Sequence, residues 1–224
     1  MNRAPSSHSR VRALALVLAA AAAVSCRSAA APGSPQIVQP GAPGQTSRVV
    51  DAAAAADLSK VPFTPADVRF MQGMIGHHAQ ALDMTGLVPS HSGNDAIRKL
   101  AQRIELSQAD EIKMMQDWLT RRGQQVPGPH AHHAPGAPLM PGMLTAEQMA
   151  RLGEVKGPEF DRLFLESMIK HHEGALTMVQ DLFAQPGAGQ ESDVFAFASD
   201  VDADQRMEID RMRAALVPSK EPVR

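Results

Sequence analysis

The stretch FMQGMIGHHAQALDM at residues 70–84 is repeated as FLESMIKHHEGALTM at residues 164–178. The two copies are 94 positions apart and are identical at 8 of 15 positions. A second repeat, at an offset of 97, pairs Ala101, Gln108, Glu111, Ile112, Met115 and Leu119 with Ala198, Gln205, Glu208, Ile209, Met212 and Leu216. Each half therefore consists of a helix, a connection and a second helix, and this duplication decides the architecture.

Capping residues and prolines delimit four predicted helices. The first begins after Thr64-Pro65, an N-cap followed by a proline, and ends near residue 87, before Pro89. The others are predicted over about 94–122, 158–183 and 192–217. Apolar residues recur at spacings of three and four, and no segment alternates like a strand. Two such hairpins bury their apolar faces by packing together, so we predict an all-α, up-down four-helix bundle made of two duplicated helical hairpins.

The composition suits packed helices and excludes several classes of protein. Among 224 residues, 44% are hydrophobic but only 4% are aromatic, which predicts an aliphatic core filled by methionine. The 22 basic residues nearly balance the 24 acidic ones, which argues against nucleic acid as a partner. A single cysteine excludes an internal disulfide framework and a cysteine-rich zinc site.

The N-terminal region has the features of an export signal. Basic residues precede an apolar run from Val11 to about Val24, which is short for a membrane span. Cys26 directly follows this run in a sequence that resembles a bacterial lipobox, with Ala in place of the usual Leu. We predict a signal peptide over residues 1–25 and lipidation of Cys26, which would anchor an exported protein at the periplasmic or extracellular face of the cell envelope. A cleaved signal peptide with an incidental cysteine is the alternative.

Composition also divides the rest of the chain. Residues 26–63 are rich in Pro, Gly and Ala and show no helical stripe, which predicts a disordered spacer. Residues 64–218 form the predicted bundle domain. Within it, a low-complexity loop at 124–143 is expected to add nothing to the core, and Thr145 caps a short helix after it.

Metal-ligating residue types share one face of the first helix of each half. At 100° per residue, one stripe comprises Asp67, Met71, Met74 and His78, flanked by His77 and Met84, and its repeat comprises Asp161, Met168 and His172, flanked by His171 and Met178. Core packing would explain a single methionine or histidine. Two buried His-His pairs need a partner for every ring nitrogen, which a metal supplies. We therefore predict that the four histidines and five methionines bind a metal ion.

Other polar residues accompany these stripes. Asp67 and Asp161 either support the metal ligands or stabilise helix N-termini electrostatically. Four residues of the second helices either orient the histidines or face water at the edge of the bundle: Gln108, Glu111, Gln205 and Glu208. Three loop histidines offer a secondary contact at most: His130, His132 and His133.

The ligand types favour copper. Met74-Ile-Gly-His77 and Met168-Ile-Lys-His171 occupy the places where di-iron bundles carry Glu-x-x-His. Thioether with imidazole selects copper, especially Cu(I), over iron, while zinc could use the imidazoles alone. Methionine and neutral histidine also remain usable in an oxidising compartment, where thiolates do not.

The doubled pattern Asp-x-x-Phe-x-x-x-Met-Ile-x-His-His-x-x-Ala-Leu-x-Met resembles that of the bacterial domain-of-unknown-function family 305. The resemblance covers about residues 61–217 and implies a ferritin-like four-helix fold and an exported, copper-binding role. Carried onto this chain, it marks Asp67, Phe70, Met74, His77, His78, Met84, Asp161, Phe164, Met168, His171, His172 and Met178. Leu165 stands where the first half has Met71, and the linker is poor in methionine, which argues against a high copper stoichiometry.

Three functions are consistent with these observations. The leading hypothesis is an extracytoplasmic protein for copper sequestration, carriage or tolerance, whose partners are the metal ion and, through the anchor, a membrane. A ferritin-like redox metalloenzyme is an alternative, although no nucleophile–base set, Gly-rich cofactor loop or haem-attachment motif favours an enzyme and no catalytic residue is assigned. A metal-free helical interaction module is the third. A bundle of this kind can also form a homodimer.

Overall fold

The computed structural model describes residues 37–39, 47–56, 61–128, 131 and 139–217. The chain divides into two compact units, Met1–Asp57 and Leu58–Arg224. Residues 1–25, Cys26 and the loop histidines His130, His132 and His133 lie outside the described residues. Within the described ranges, no helix is both long enough and apolar enough to cross a membrane.

The first unit contains a small antiparallel hairpin. Strand β1 (Ile37–Gln39) pairs with β2 (Arg48–Val50) so that Ile37 lies opposite Val50, and helix α1 (Ala52–Ala56) follows. The prediction that no segment forms a strand is wrong for these residues. Strands of three residues are too short to show the alternation on which such a prediction depends.

The described part of the second unit is built from helices α2 (Pro65–His91), α3 (Asp95–Arg121), α4 (Ala146–Glu154), α5 (Gly157–Ala184) and α6 (Ser192–Leu216). Helix α2 packs against α3, α5 packs against α6, and α2 also contacts α5. The prediction of an all-α bundle made of two helical hairpins is confirmed.

Local sequence explains where the helices begin and end. Thr64 and Asp67 form a capping box at the start of α2, as Thr145 and Gln148 do at the start of α4. The predicted end of α2 before Pro89 is wrong, because the helix continues to His91. Proline has a helical φ, and the helix continues for only two residues beyond Pro89.

The two hairpins are joined by a crossover. The side chain of Gln72 donates to the backbone oxygen of Gln125 just beyond α3, over 2.8 Å, which shows that α2 and α3 are antiparallel. Near Gly73 of α2 lies Met178, close to the end of α5, so α2 and α5 are antiparallel as well. Helices α3 and α5 consequently run in the same direction, and the connection that contains α4 is the long crossover of ferritin-like bundles. The predicted up-down order therefore does not hold at this connection.

The core consists of two apolar clusters separated by a polar layer. One cluster includes Met84, Ile104, Phe164, Met168 and Met212, and the other includes Met71, Met74, Trp118, Phe197 and Val201. Between them, each long helix contributes buried polar residues: His77 and His78 from α2, Gln108 from α3, His171 and His172 from α5, and Gln205 from α6. The two halves of the repeat therefore meet in one polar layer inside an otherwise apolar bundle.

Candidate metal centre

Four imidazoles form the centre of the polar layer. All four histidine side chains are fully buried, at 0% exposure. The rings of His77 and His171 lie 3.8 Å apart between centroids, with 36° between their planes. Within each pair the neighbouring rings are 6.3 Å apart, His78 from His77 and His172 from His171. The bundle thus brings the predicted histidines together across the interface of α2 and α5.

A glutamate from the second helix of each hairpin contacts the outer histidine. His78 Nε2 lies 2.5 Å from Glu111 Oε2, and His172 Nε2 lies 2.7 Å from Glu208 Oε2. A carboxylate only accepts, so each Nε2 carries the proton, and in the neutral ring Nδ1 is left with its lone pair. Glu111 and Glu208 therefore fix the tautomer of these rings, as carboxylates do behind metal-bound histidines.

His77 is held by a backbone carbonyl instead. Its Nε2 donates to Pro141 O over 3.0 Å, and its Nδ1 keeps the lone pair in the same way. Burial, followed by the charge of nearby His78, lowers the pKa of His77 to about 3, although the Pro141 hydrogen bond opposes the shift. Burial also lowers the pKa of His171 well below its usual value, with the other three histidines adding to the effect and a contact with the backbone of His77, too poorly aligned to count as a hydrogen bond, opposing it. Both rings are neutral at physiological pH.

Many polar atoms of this layer have no hydrogen-bond partner among the described residues. They are Nδ1 of His77, His78 and His172, both ring nitrogens of His171, both amide atoms of Gln108, and Oε1 of Gln205. Burying such groups unpaired costs roughly 1–3 kcal/mol each, and native structures contain few of them. Their concentration in one layer indicates a place built for a bound ion or ordered water.

The predicted methionines flank this layer at both sides. Met71 and Met74 are fully buried in one apolar cluster, and Met84 and Met168 are fully buried in the other. Met178 is only partly buried and packs at the edge of the first of these clusters. Thioethers are therefore present on each side of the imidazoles, in positions that core packing alone would also accept.

The two aspartates do not accompany the histidines. Asp67 accepts hydrogen bonds from Thr64 N at 2.6 Å and Gly189 N at 2.7 Å, so its carboxylate caps α2 and fastens the α5–α6 connection. It lies ten residues before His77, about 15 Å along the helix axis. In this structure the contacts of Asp67 are those of its helix-terminal role. Asp161 lies equally far from His171, and its Oδ1 is buried without a partner among the described residues.

The end of the low-complexity loop covers the layer, and no sequence pattern predicts this contact. We call residues 140–144 the strap. The side-chain amide of Gln80 pairs with the strap backbone at Leu144. Its nitrogen donates to Leu144 O over 2.9 Å, and its oxygen accepts from Leu144 N over 2.7 Å. Met143 is buried at 4% exposure, so the expectation that the loop adds nothing to the core is wrong for this segment.

Two glycines let the strap lie directly on α5. A Cβ at Gly142 would come within 2.5 Å of Lys170 O, and the φ of Gly142 is +78°, a conformation that favours glycine. A Cβ at Gly174 would collide with Pro141 O. In the repeat, Gly174 is equivalent to Gln80. In the first copy Gln80 therefore binds the strap through hydrogen bonds, and in the second copy Gly174 leaves room for the strap backbone.

His91, the remaining histidine of the described residues, has an ordinary structural role. Its ring contacts Leu87 O at 2.8 Å and Gly153 O at 3.0 Å, and it packs against Phe160. It lies away from the polar layer, at the end of α2. Within the described ranges, no group of three or more His, Cys, Asp or Glu side chains converges as a ready metal site.

Comparison with known proteins identifies the family. The profile of the domain of unknown function DUF305 matches residues 67–216, and the chain belongs to this family. A DUF305 fragment from Deinococcus radiodurans is 34% identical, with a TM-score of 0.57 over 69% of this chain and 97% of that one. A DUF305 protein from Streptomyces coelicolor, predicted to be secreted, is 29% identical, with a TM-score of 0.57 over 67% of this chain and 91% of that one.

A third solved structure carries a copper connection. CopM in its Cu(II)-bound form is 26% identical to this chain, with a TM-score of 0.50 over 67% of this chain and 95% of CopM. No curated protein matches the chain. The predicted family membership is confirmed, and the similarity to a copper-bound protein points to a copper-related function.

Proposed function

We propose that this protein binds copper in the polar layer, outside the cytoplasm, for sequestration, carriage or tolerance. The observation that carries the proposal is the set of five unpartnered ring nitrogens on four fully buried imidazoles. Hydrogen-bond acceptors hold the Nε2 atoms of His77, His78 and His172, which leaves three Nδ1 lone pairs free. A soft transition metal is a partner that can use several such lone pairs at once.

Copper fits the donors better than the alternatives. Imidazole binds Cu(II), Cu(I) and zinc, whereas the thioethers of Met74 and Met168 on either side favour Cu(I). The two glutamates that contact the histidines remain hydrogen-bond acceptors and make the imidazoles more basic ligands. The Cu(II)-bound relative supports copper, because its fold and a quarter of its sequence are shared with this chain.

Complete burial of the histidines favours holding an ion over catalysis. A redox enzyme at this site needs a coordination position that a substrate can reach, and all four rings have zero exposure. The export signal and lipidated Cys26 of the sequence are part of the proposal, with residues 26–63 as a spacer between membrane and bundle. The relative from Streptomyces that is predicted to be secreted supports export.

The test is a titration of the full mature chain with Cu(I) and Cu(II) under competition from a chelator of known affinity. We expect tight binding in the wild type and loss of tight binding when His77, His78, His171 and His172 are all replaced by glutamine. His91→Gln is the matched control, since it removes one histidine outside the layer, and it should bind as the wild type does.

Two results would contradict the proposal. Unchanged affinity in the four-histidine variant would move the site to the loop histidines His130, His132 and His133. No binding of copper or zinc by the wild type would leave a metal-free interaction module. Circular dichroism of each variant separates the loss of a ligand from the loss of the fold.

A further inference from the structure

Two methionines converge on a point at the outside of the polar layer. A Cβ built on Gly73 of α2 would lie 3.2 Å from Met140 Sδ and 3.5 Å from Met178 Cε. Gly73 precedes His77 by one helical turn, so this point is on the same side of α2 as the ring that Pro141 contacts. A side chain at residue 73 would therefore be in tight contact with the Met140 sulfur and in ordinary contact with the Met178 methyl group.

The strap determines the position of Met140. Its neighbours Pro141 and Gly142 lie against the backbone of α5 at Gly174, where no side chain could be accommodated. Pro141 O also accepts the hydrogen bond from His77. Met140 is thus fixed at its backbone while its flexible, polarisable side chain remains free to adjust.

Both methionines are partly exposed to solvent. Met140 and Met178 are partly buried, whereas Met84, the repeat equivalent of Met178, is fully buried. Leu139, directly before the strap, is exposed. The pair therefore differs from the flanking core methionines, for which packing is a sufficient explanation.

We propose that Met140 and Met178 form an outer site that takes one soft monovalent cation, Cu(I) or Ag(I), beside Gly73. Two thioethers select such ions over hard divalent cations. The inference extends the proposed function, because an ion held here lies next to His77 and the buried layer. The outer site does not use the four histidines, so its existence can be tested separately from the buried copper site.

The experiment uses Ag(I), which binds thioethers and undergoes no redox change, with the full chain labelled at the methionine methyl groups. In the wild type we expect the NMR signals of Met140 and Met178 to shift in the first step of a silver titration. The variant Met140→Leu/Met178→Leu should lose one equivalent of bound silver. Its control, Met114→Leu/Met207→Leu, removes two partly exposed methionines from α3 and α6 and should lose none.

A glycine substitution tests the geometry without removing a ligand. Gly73→Ala places a methyl group in tight contact with Met140 Sδ and in contact with Met178 Cε, and it should weaken silver binding. Gly86→Ala on the same helix meets nothing within 4 Å and should leave silver binding unchanged. Alanine is the better helix former at both positions, so weaker binding by Gly73→Ala would not reflect a damaged helix.

The outcomes separate this site from the histidine layer. Silver binding that survives in the four-histidine variant, and disappears when the Met140 and Met178 replacements are added, would support the outer site even if copper affinity of the layer is poor. Unshifted Met140 and Met178 signals, or equal losses in the two double-methionine variants, would overturn the inference. If the four-histidine variant does not fold, the wild-type NMR titration and the two glycine variants still decide the question.

Discussion

The imidazole rings of His77 and His171 lie 3.8 Å apart although they belong to different halves of the duplicated sequence. Both rings are buried, and burial is the first cause of their lowered pKa values. The native layer therefore disfavours protons at the position where the two halves meet. A proton on either ring would place a positive charge next to the other in a medium of low polarity.

We predict that the metal-free protein loses stability as the pH falls below about 6.5. In the unfolded chain His77 takes up a proton near pH 6.5, whereas in the native state its pKa is about 3. Its stabilising contribution is therefore complete above pH 6.5 and is lost between 6.5 and 3, with a slope of roughly 1.4 kcal/mol per pH unit. His171 changes stability in the same direction.

Urea unfolding at several pH values between 7 and 4 measures this slope. His77→Gln/His171→Gln should show a flatter dependence on pH, and His91→Gln should follow the wild type. A wild-type free energy of unfolding that is constant from pH 7 to 5 would contradict the prediction. Because the pKa values of these two rings are lowered, protons should not compete with a metal ion for them near pH 6.

Glu111 and Glu208 are predicted to control copper affinity through the histidines that they contact. Replacing either by glutamine keeps its size but provides a weaker acceptor for Nε2 of His78 or His172. Loss of such partners behind a metal ligand typically weakens metal binding by about 10–100-fold. Competition titrations of Glu111→Gln and Glu208→Gln should show this loss, whereas Glu105→Gln, at an exposed position of α3, should not. Wild-type affinity in both glutamate variants would indicate that the pairs serve only the fold.

The sequence predicted the elements that are repeated and missed those that are not. The offset of 94 correctly brought His77 and His171 together, and the offset of 97 picked out Glu111 and Glu208 as equivalent residues. The role of Gln80 could not be predicted from the sequence, because its partner, Leu144, is 64 positions away in a segment without periodicity.

Met74→Leu/Met168→Leu is predicted to weaken Cu(I) binding more than Cu(II) binding. Both side chains are fully buried, and leucine preserves most of their volume, so the variant should lose under about 1.5 kcal/mol of stability. Thioether favours Cu(I), whereas the unchanged imidazoles bind both oxidation states. Equal losses for the two ions would mean that these methionines act only through packing. The thermal midpoint and both affinities should be measured on the same preparation.

Cys26→Ser is predicted to release the protein from the membrane fraction. This prediction is based on the apolar run that ends at the only cysteine of the chain. Fractionation of cells that express the wild type or the variant, with mass spectrometry of the mature N-terminus, provides the measurement. A wild type that is wholly soluble and secreted would show that the cysteine is not an anchor.

Gln80→Ala is predicted to loosen the strap and destabilise the bundle. Gln80 is buried, and its amide is the partner of both the N–H and the C=O of Leu144. Removing it leaves buried backbone groups unpaired, at about 1–3 kcal/mol. The matched control is Gln72→Ala on the same helix, where an exposed hydrogen bond to Gln125 O is lost at less than about 0.5 kcal/mol.

Because the strap also carries Pro141, which contacts His77, Gln80→Ala should in addition speed the release of bound copper to a chelator. Hydrogen exchange of the Leu144 amide, unfolding in urea and the release rate test the three consequences separately. A Leu144 amide that stays protected in Gln80→Ala would show that the glycine contact at residue 174 holds the strap without Gln80.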